Sequence, residues 1–217
     1  MSRSLILLRH GRTAWNAEGR AQGHTDVSLD EVGRAQATSA APVLAALSPV
    51  FVISSDLARA AETADVVARA CGLPVARDPR LREYDVGERA GLTIPEFAVT
   101  FPDAHASWLA AGGSFENADS VAGAESTSQV LARMLPALRA ALSSLAAGET
   151  GVVVGHGAAL RVALLALLGW DESASSPLRG LDNCGWATLD DSAPGGGLRL
   201  AAYNRIAPDF TSAAGVG

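Results

Sequence analysis

Short apolar runs alternate along the chain with longer stretches of helical periodicity. Leu5–Leu8, Val50–Ile53 and Gly151–Val154 are almost continuously apolar, and Leu73–Ala76 is a shorter candidate of the same kind. Such runs, bounded by polar or glycine-rich segments, are typical of strands that are buried on both faces. Their alternation with helical patterns predicts an α/β fold with a parallel sheet covered by helices on both sides.

Two later apolar runs have a different relationship to each other. Trp186–Leu189 and Leu198–Tyr203 are separated by a proline and three glycines at positions 194–197. Proline and glycine clusters of this kind mark tight turns. The pattern predicts either a late hairpin or two edge strands.

Four longer helices are predicted between the strands. The first begins with a capping box, in which Ser28 is the N-cap and Glu31 lies at N3. It extends to about Leu47, with Val32 and Val43 on its apolar stripe. The others span about 57–70, 126–145 and 157–169.

Length and composition fit one globular domain. The chain has 217 residues, of which 48% are hydrophobic and 18% charged, enough for a sizeable core. Residues 1–217 are predicted to form a single domain with an irregular insertion at about 93–124. A loose tail is expected from about 208.

Charge and cysteine usage exclude several classes of partner. The net charge of −6 argues against nucleic acid or an anionic membrane as the main partner. Two cysteines, Cys71 and Cys184, are too few for a disulfide framework and have no zinc-site spacing. No apolar run is long enough for a signal-peptide core or a bilayer span, so a cytoplasmic protein is expected. No metal or cofactor is predicted.

Chemically active side chains follow three of the predicted strands. Arg9 and His10 come directly after the first strand, Arg59 follows the second, and His156 follows Gly151–Val154. Ligands of open parallel sheets bind at the carboxyl ends of the strands. If these strands are neighbours, two histidines and two arginines meet at one edge of the sheet.

These residue types suit a phosphate ester. Arginine matches phosphate oxygens and keeps its charge, and the helix that begins after His156 offers its N-terminal amides to an anion. A histidine such as His10 can attack phosphorus without a metal if arginines neutralise the phosphoryl oxygens. Glu83, or its neighbour Asp85, follows the third strand and could protonate the leaving oxygen.

Five segments together resemble the histidine phosphatase superfamily, in its phosphoglycerate-mutase-like branch. They lie at 8–16 (LRHGRTAWN), 22–23 (QG), 54–64 (SSDLARAAETA), 81–93 and 155–157 (GHG). The resemblance implies a three-layer α/β/α sandwich whose mostly parallel central sheet contains one antiparallel strand. It also implies a phosphoric monoester hydrolase with a phosphohistidine intermediate.

The resemblance assigns a role to each matching position. His10 would be the phosphorylated nucleophile, and Glu83 the general acid. The phosphate pocket would be formed by Arg9, Arg59 and His156 with a polar contact from Asn16, and Gln22 and Gly23 would line it.

Some positions depart from the family pattern and leave the substrate open. Arg12 stands where the family often has an acid or amide, so it could bind a second anionic group or face solvent. Arg89-Ala90 replace a frequent aromatic residue before Gly91. Residues 183–186 (NCGW) and Tyr203-Asn204 resemble the bacterial glucosyl-3-phosphoglycerate phosphatases.

Three functions remain open at this point. A small-molecule phosphomonoesterase, acting on a phosphoglycerate derivative or a sugar phosphate, is favoured because the insertion and tail are compact. A bisphosphoglycerate-dependent phosphoglycerate mutase is the alternative within the family. A non-catalytic phosphate-binding module is the alternative outside enzymes. A homodimer is a further expectation.

Overall fold

The computed structural model describes residues 2–110, 121–171, 178–193 and 195–208. All six predicted strands are present, with bounds within two residues of those expected. The strands are β1 (Ser4–Arg9), β2 (Phe51–Ser54), β3 (Val75–Arg77), β4 (Thr150–Gly155), β5 (Trp186–Asp190) and β6 (Arg199–Arg205). The helices are α1 (Ala14–Glu18), α2 (Glu31–Ala45), α3 (Ala58–Cys71), α4 (Ile94–Thr100), α5 (Pro102–Ala110), α6 (Thr127–Ser143) and α7 (Gly157–Leu168).

The six strands form one sheet in the order β3-β2-β4-β1-β5-β6. The pairs β3-β2, β2-β4 and β4-β1 are parallel, whereas β5 pairs antiparallel with both β1 and β6. A mostly parallel sheet with one antiparallel strand is therefore confirmed. The late hairpin is confirmed, because β5 and β6 pair with each other. The alternative of two edge strands is wrong, because β5 lies inside the sheet between β1 and β6.

Helices cover both faces of the sheet. On one face, Ile6 and Leu8 of β1 pack with the small residues of α2 and α3. On the other face, Leu5 and Leu7 pack with α6 and α7. Because side chains alternate along a strand, the continuous apolar run of β1 contributes side chains to the cores on both faces of the sheet. The predicted three-layer arrangement is confirmed.

The predicted start of α2 is wrong. The helix begins at Glu31, and its N-cap is Asp30, whose side chain accepts a hydrogen bond from the Gly33 amide at 2.7 Å. The physical reason is tertiary, because the Asp30 amide also bonds to the Arg12 carbonyl. Ser28, the expected N-cap, is exposed.

The predicted apolar stripe of α2 is also displaced. Apart from Leu44, the buried residues are small ones, and Leu47 is 47% exposed beyond the end of the helix. Small residues face the core because α2 packs closely against α3 and the loop that follows β1. The buried set is Gly33, Ala37, Ala40, Ala41 and Leu44.

The insertion contains two short helices, α4 and α5, with a small core of their own. Phe97, Trp108 and Val121 are buried together there. Residues 111–120 of the insertion and the predicted tail from 209 onward lie outside the described residues. Within the described ranges, no helix has the length and apolarity needed to cross a bilayer.

Candidate active site

The sheet brings the three strand ends together. β1, β4 and β2 are adjacent and parallel, so the residues that follow them share one edge. His10 follows β1, and its amide donates to the Gly155 carbonyl at 3.0 Å. The ring centroids of His10 and His156 are 5.2 Å apart. The structure therefore places the two histidines together at the edge of the sheet, as predicted.

His10 is held with one ring nitrogen already occupied. Its Nδ1 lies 2.7 Å from the Gly11 carbonyl oxygen. A carbonyl only accepts, so Nδ1 carries the proton and Nε2 keeps its lone pair. Burial lowers the pKa of His10 well below its ordinary value, and the charges of Arg59 and Arg9 lower it further. A neutral imidazole with a free Nε2 is the form that can attack phosphorus.

Arg59 is buried at the start of α3 and fixes the loop that follows α1. Its two terminal nitrogens donate to the carbonyls of Gly23 and Thr25, both at 2.8 Å. Burial lowers the pKa of Arg59 to about 10, against the opposing charge of Glu83. The guanidinium therefore stays charged at neutral pH.

Arg9 points its side chain to the same region. One terminal nitrogen donates to the Leu181 carbonyl. Burial lowers the pKa of Arg9, and the charge of Glu83 raises it. A Cβ added at Gly157 would lie 3.3 Å from Arg9 Nε, so the absence of a side chain at Gly157 gives the guanidinium room beside the α7 N-terminus.

Four predicted site residues each bury a polar atom that has no hydrogen-bond partner within the described part of the chain. Buried polar atoms are normally satisfied, so such a cluster is the signature of a ligand site. Three of the atoms are donors or potential donors, which suits the oxygens of a phosphoryl group. The atoms are Arg9 Nε, Arg59 Nε, His156 Nδ1 and Gln22 Oε1.

Glu83 lies at the N-terminus of α7, beside His156. Its carboxylate accepts from the amides of Ala158 at 3.1 Å and Ala159 at 2.8 Å. Asp85, the alternative acid, instead accepts from the Gly87 amide and lies 3.5 Å from His24 Nδ1. Of the two carboxylates, Glu83 is therefore the one at the N-terminus of α7, and its role as the general acid stays a prediction.

The segment that carries Glu83 has no regular secondary structure and is held by Arg133 of α6. The Arg133 guanidinium donates to the carbonyls of Arg80, Arg82 and Glu83 and pairs with Glu125. One side chain thus satisfies three backbone carbonyls of this segment. The position of Glu83 depends on α6 as well as on α7.

The remaining predicted pocket residues lie on α1 and on the loop that follows it. Asn16 Oδ1 accepts from the Thr13 amide at 3.1 Å, so its Nδ2 points the other way as a donor. Gly23 has a φ of 51°, and an added Cβ would lie 2.6 Å from a Val86 methyl group. Gln22 is 7% exposed.

Arg12 has a partner within the protein. Its Nε donates to Asp30 at 2.8 Å, and its amide donates to Gln36. The Arg12 side chain is 38% exposed. Its contact with a second anionic group of the substrate remains a prediction.

The other two histidines of the chain are His24 and His105. His24 Nε2 lies 2.9 Å from the Glu83 carbonyl oxygen, so this side chain touches the acid segment. His105 packs in the insertion against Phe97 and Trp108, with ring centroids 5.5 and 5.6 Å away.

Sequence reasoning missed four residues that support the site. Ser55 Oγ lies 2.8 Å from His156 Nε2, and Thr63 Oγ1 accepts from the Gly11 amide at 3.0 Å. Asn183 Nδ2 donates to the His10 carbonyl and to Asn16 Oδ1. A Cβ at Gly33 would lie 2.0 Å from the Arg12 carbonyl oxygen. Ser55 and Thr63 stood inside the segment at 54–64, which was the available signal.

Known proteins resemble this chain over most of its length. A glucosyl-3-phosphoglycerate phosphatase of Mycolicibacterium vanbaalenii is 36% identical over 193 residues, covering 86% of this chain and 84% of that protein. A probable phosphoglycerate mutase, GpmB, of Cronobacter sakazakii is 38% identical over 188 residues, covering 86% and 84%. A solved mycobacterial glucosyl-3-phosphoglycerate phosphatase complexed with VO3 has a TM-score of 0.81 and 34% identity, covering 93% of this chain and 98% of that chain.

The family assignment rests on nearly the whole sequence. The profile of the histidine phosphatase superfamily (branch 1) matches residues 5–204. This range includes every predicted site residue and all of β1 to β6 except Ser4 and Arg205. The prediction of a phosphoric monoester hydrolase of this kind is confirmed, and the chain belongs to the histidine phosphatase superfamily, branch 1.

Proposed function

We propose that this protein is a metal-independent phosphomonoesterase that transfers a phosphoryl group to His10 Nε2 and then to water. The observation that carries the proposal is a set of three buried nitrogens that have no partner among the described residues, namely Arg9 Nε, Arg59 Nε and His156 Nδ1 near a neutral His10. These groups can each meet a phosphoryl oxygen and stabilise the charge that develops there.

The reaction has two balanced steps. In the first, His10 Nε2 forms a bond to phosphorus while the ester P–O bond breaks, and the leaving oxygen takes a proton from Glu83. In the second, the Glu83 carboxylate takes a proton from water, the water oxygen bonds to phosphorus, and the P–N bond breaks. Phosphate leaves, and the proton on His10 Nδ1 stays there throughout, donated to the Gly11 carbonyl oxygen.

The proposed substrate is a small phosphoglycerate derivative or sugar phosphate. The glucosyl-3-phosphoglycerate phosphatases among the relatives support a phosphorylated glycerate. Arg12 is partly exposed on the loop after His10 and forms an ion pair with Asp30. It would contact the carboxylate of such a substrate if that carboxylate replaced Asp30 as its partner. Asn16, Gln22 and Gly23 would line the pocket around the ester.

The first experiment tests turnover and the intermediate. Purified protein with p-nitrophenyl phosphate should release p-nitrophenol, and His10→Ala should not. Brief incubation with a ³²P-labelled substrate should leave an acid-labile, alkali-stable label on the wild type, the stability expected of a phosphohistidine. Orthovanadate binding without turnover would instead support a phosphate-binding module. Loss of activity with a chelator and its recovery with zinc or magnesium would overturn the metal-independent reaction.

The GpmB relative favours a second candidate, the mutase. A mutase keeps the phosphoryl group on the enzyme until a second glycerate takes it, so little phosphate is released. Incubation with 3-phosphoglycerate and a trace of bisphosphoglycerate separates the two. Phosphate release faster than 2-phosphoglycerate formation supports the phosphatase, and the reverse order supports the mutase.

A further inference from the structure

Ser55 is a buried serine whose hydroxyl contacts His156 of the candidate active site. It follows β2 directly, has no exposed surface, and its amide donates to the Val154 carbonyl at 2.9 Å. This bond extends the β2-β4 pairing by one residue. Ser55 is therefore fixed beside the end of β4, where its Oγ lies 2.8 Å from His156 Nε2.

The direction of this hydrogen bond follows from the other contact of the hydroxyl. The Leu57 amide donates to Ser55 Oγ at 3.4 Å. The hydroxyl proton therefore needs an acceptor of its own, and His156 Nε2 is the acceptor in reach among the described residues. If Nε2 were protonated, the serine proton would be buried without a partner, which is unfavourable. Ser55 therefore donates and Nε2 accepts.

A single proton is then assigned to the other nitrogen of His156. Burial lowers the pKa of His156 well below its ordinary value, so the ring is neutral near pH 7. A neutral imidazole carries one proton, and with Nε2 accepting, that proton is on Nδ1. His156 Nδ1 is buried and has no partner within the described residues. It is an open donor beside His10.

We propose that Ser55 is a positioning residue that fixes His156 in its Nδ1–H tautomer, so that the neutral ring presents a donor to a phosphoryl oxygen. The identity of that acceptor rests on the proposed function. The tautomer itself is a property of the ligand-free protein. Free imidazole side chains prefer the Nε2–H form, so the preference has to come from a partner such as Ser55.

Nuclear magnetic resonance measures the tautomer without any activity. The chain has four histidines, so two-bond ¹H–¹⁵N spectra of labelled protein can be assigned with His10→Gln and His156→Gln variants. In the wild type at pH 7.5, His156 should show a protonated Nδ1 and an unprotonated Nε2. In Ser55→Ala, the population should move toward Nε2–H. A wild-type His156 protonated on Nε2 would overturn the proposal, even if the variant fails to fold.

A neighbouring serine provides the matched control. Ser54 is equally buried in β2, but its hydroxyl donates to the Ser55 carbonyl and not to a histidine. Ser54→Ala removes the same atom and should keep the wild-type tautomer. Ser55→Ala should raise the inhibition constant for orthovanadate by about tenfold, the loss expected for one hydrogen bond to an anion. Equal changes in both variants would mean a structural role only.

The two proposals fail in different ways. If wild-type His156 has the Nδ1–H tautomer and Ser55→Ala changes it, the positioning role stands even when p-nitrophenyl phosphate is not hydrolysed. If the wild type turns over substrate through a labelled histidine but Ser55→Ala leaves the tautomer and kcat/KM unchanged, the positioning role is overturned and the proposed function stands.

Discussion

His10 Nδ1 lies 2.7 Å from the carbonyl oxygen of Gly11, the next residue in the chain. The proposed nucleophile is thus oriented by its own backbone, and the ring cannot turn without losing this bond. The Gly11 amide in turn donates to Thr63 of α3 at 3.0 Å. The orientation of His10 therefore depends on the packing of β1 against α3 rather than on the ligand.

Burial of two neutral histidines predicts how stability changes with pH. The pKa of His10 is lowered in the folded state, so the unfolded chain binds more protons below about pH 6.5. Stability from this residue is complete above that pH and is lost as the pH falls. Urea unfolding of the wild type between pH 7.5 and 5.5 should show the free energy of unfolding falling. In His10→Gln the total fall between these two pH values should be smaller by about 1.4 kcal/mol. An equal fall in the wild type and in His10→Gln would contradict a lowered pKa of His10 in the folded state.

Arg59→Lys should weaken anion binding strongly. A lysine cannot hold the carbonyls of Gly23 and Thr25 and also present a third donor like Nε. We expect kcat/KM to fall by about 100-fold and orthovanadate inhibition to weaken, as for loss of a charged oxyanion contact. Arg69→Lys, at an exposed site of the same helix, is the matched control. Similar kinetics for both variants would show that Arg59 is not in the pocket.

Gly33→Ala should reduce activity from outside the pocket. An added Cβ would lie 2.0 Å from the Arg12 carbonyl oxygen, so the loop after His10 has to move. We expect kcat/KM to drop by at least about tenfold, because small displacements of catalytic groups are costly. At Gly197 the nearest atom to an added Cβ is 3.9 Å away, which makes Gly197→Ala the control. Unchanged kinetics in Gly33→Ala would mean that α2 shifts to accommodate the added Cβ and that the loop after His10 keeps its position.

Asn183 offers a test in which the isosteric variant is the worse one. Its Nδ2 donates to the His10 carbonyl at 3.1 Å and to Asn16 Oδ1 at 3.3 Å. Asn183→Ala loses both bonds, whereas Asn183→Asp places a carboxylate oxygen against two acceptors. We expect kcat/KM and the melting temperature to decrease in the order wild type, Ala, Asp. If Asn183→Asp has the same kcat/KM and melting temperature as the wild type, the hydrogen bonds of Asn183 Nδ2 do not support the site.

The sequence predicted the strands and the strand-end residues because both depend on local patterns. β1 and β4 are uninterrupted apolar runs, and His10 and His156 follow them directly. The N-cap of α2 could not be predicted in this way, because Asp30 is selected by its contact with Arg12. Asn183 and Asn16 are 167 positions apart, and no local pattern pairs them. The orientation of Glu83 likewise depends on amides of α7 and on Arg133 of α6.

The separate core of the insertion has an evolutionary consequence. Phe97, Trp108 and Val121 pack with one another, and the Arg89 guanidinium lies 4.6 Å from the Phe97 ring centroid. None of these residues belongs to the two clusters that flank the sheet. Substitutions in α4 and α5 can therefore accumulate without loosening the strands that carry His10 and His156. A lineage with this architecture can therefore vary the sequence of the insertion while the strands that position His10 and His156 are inherited unchanged.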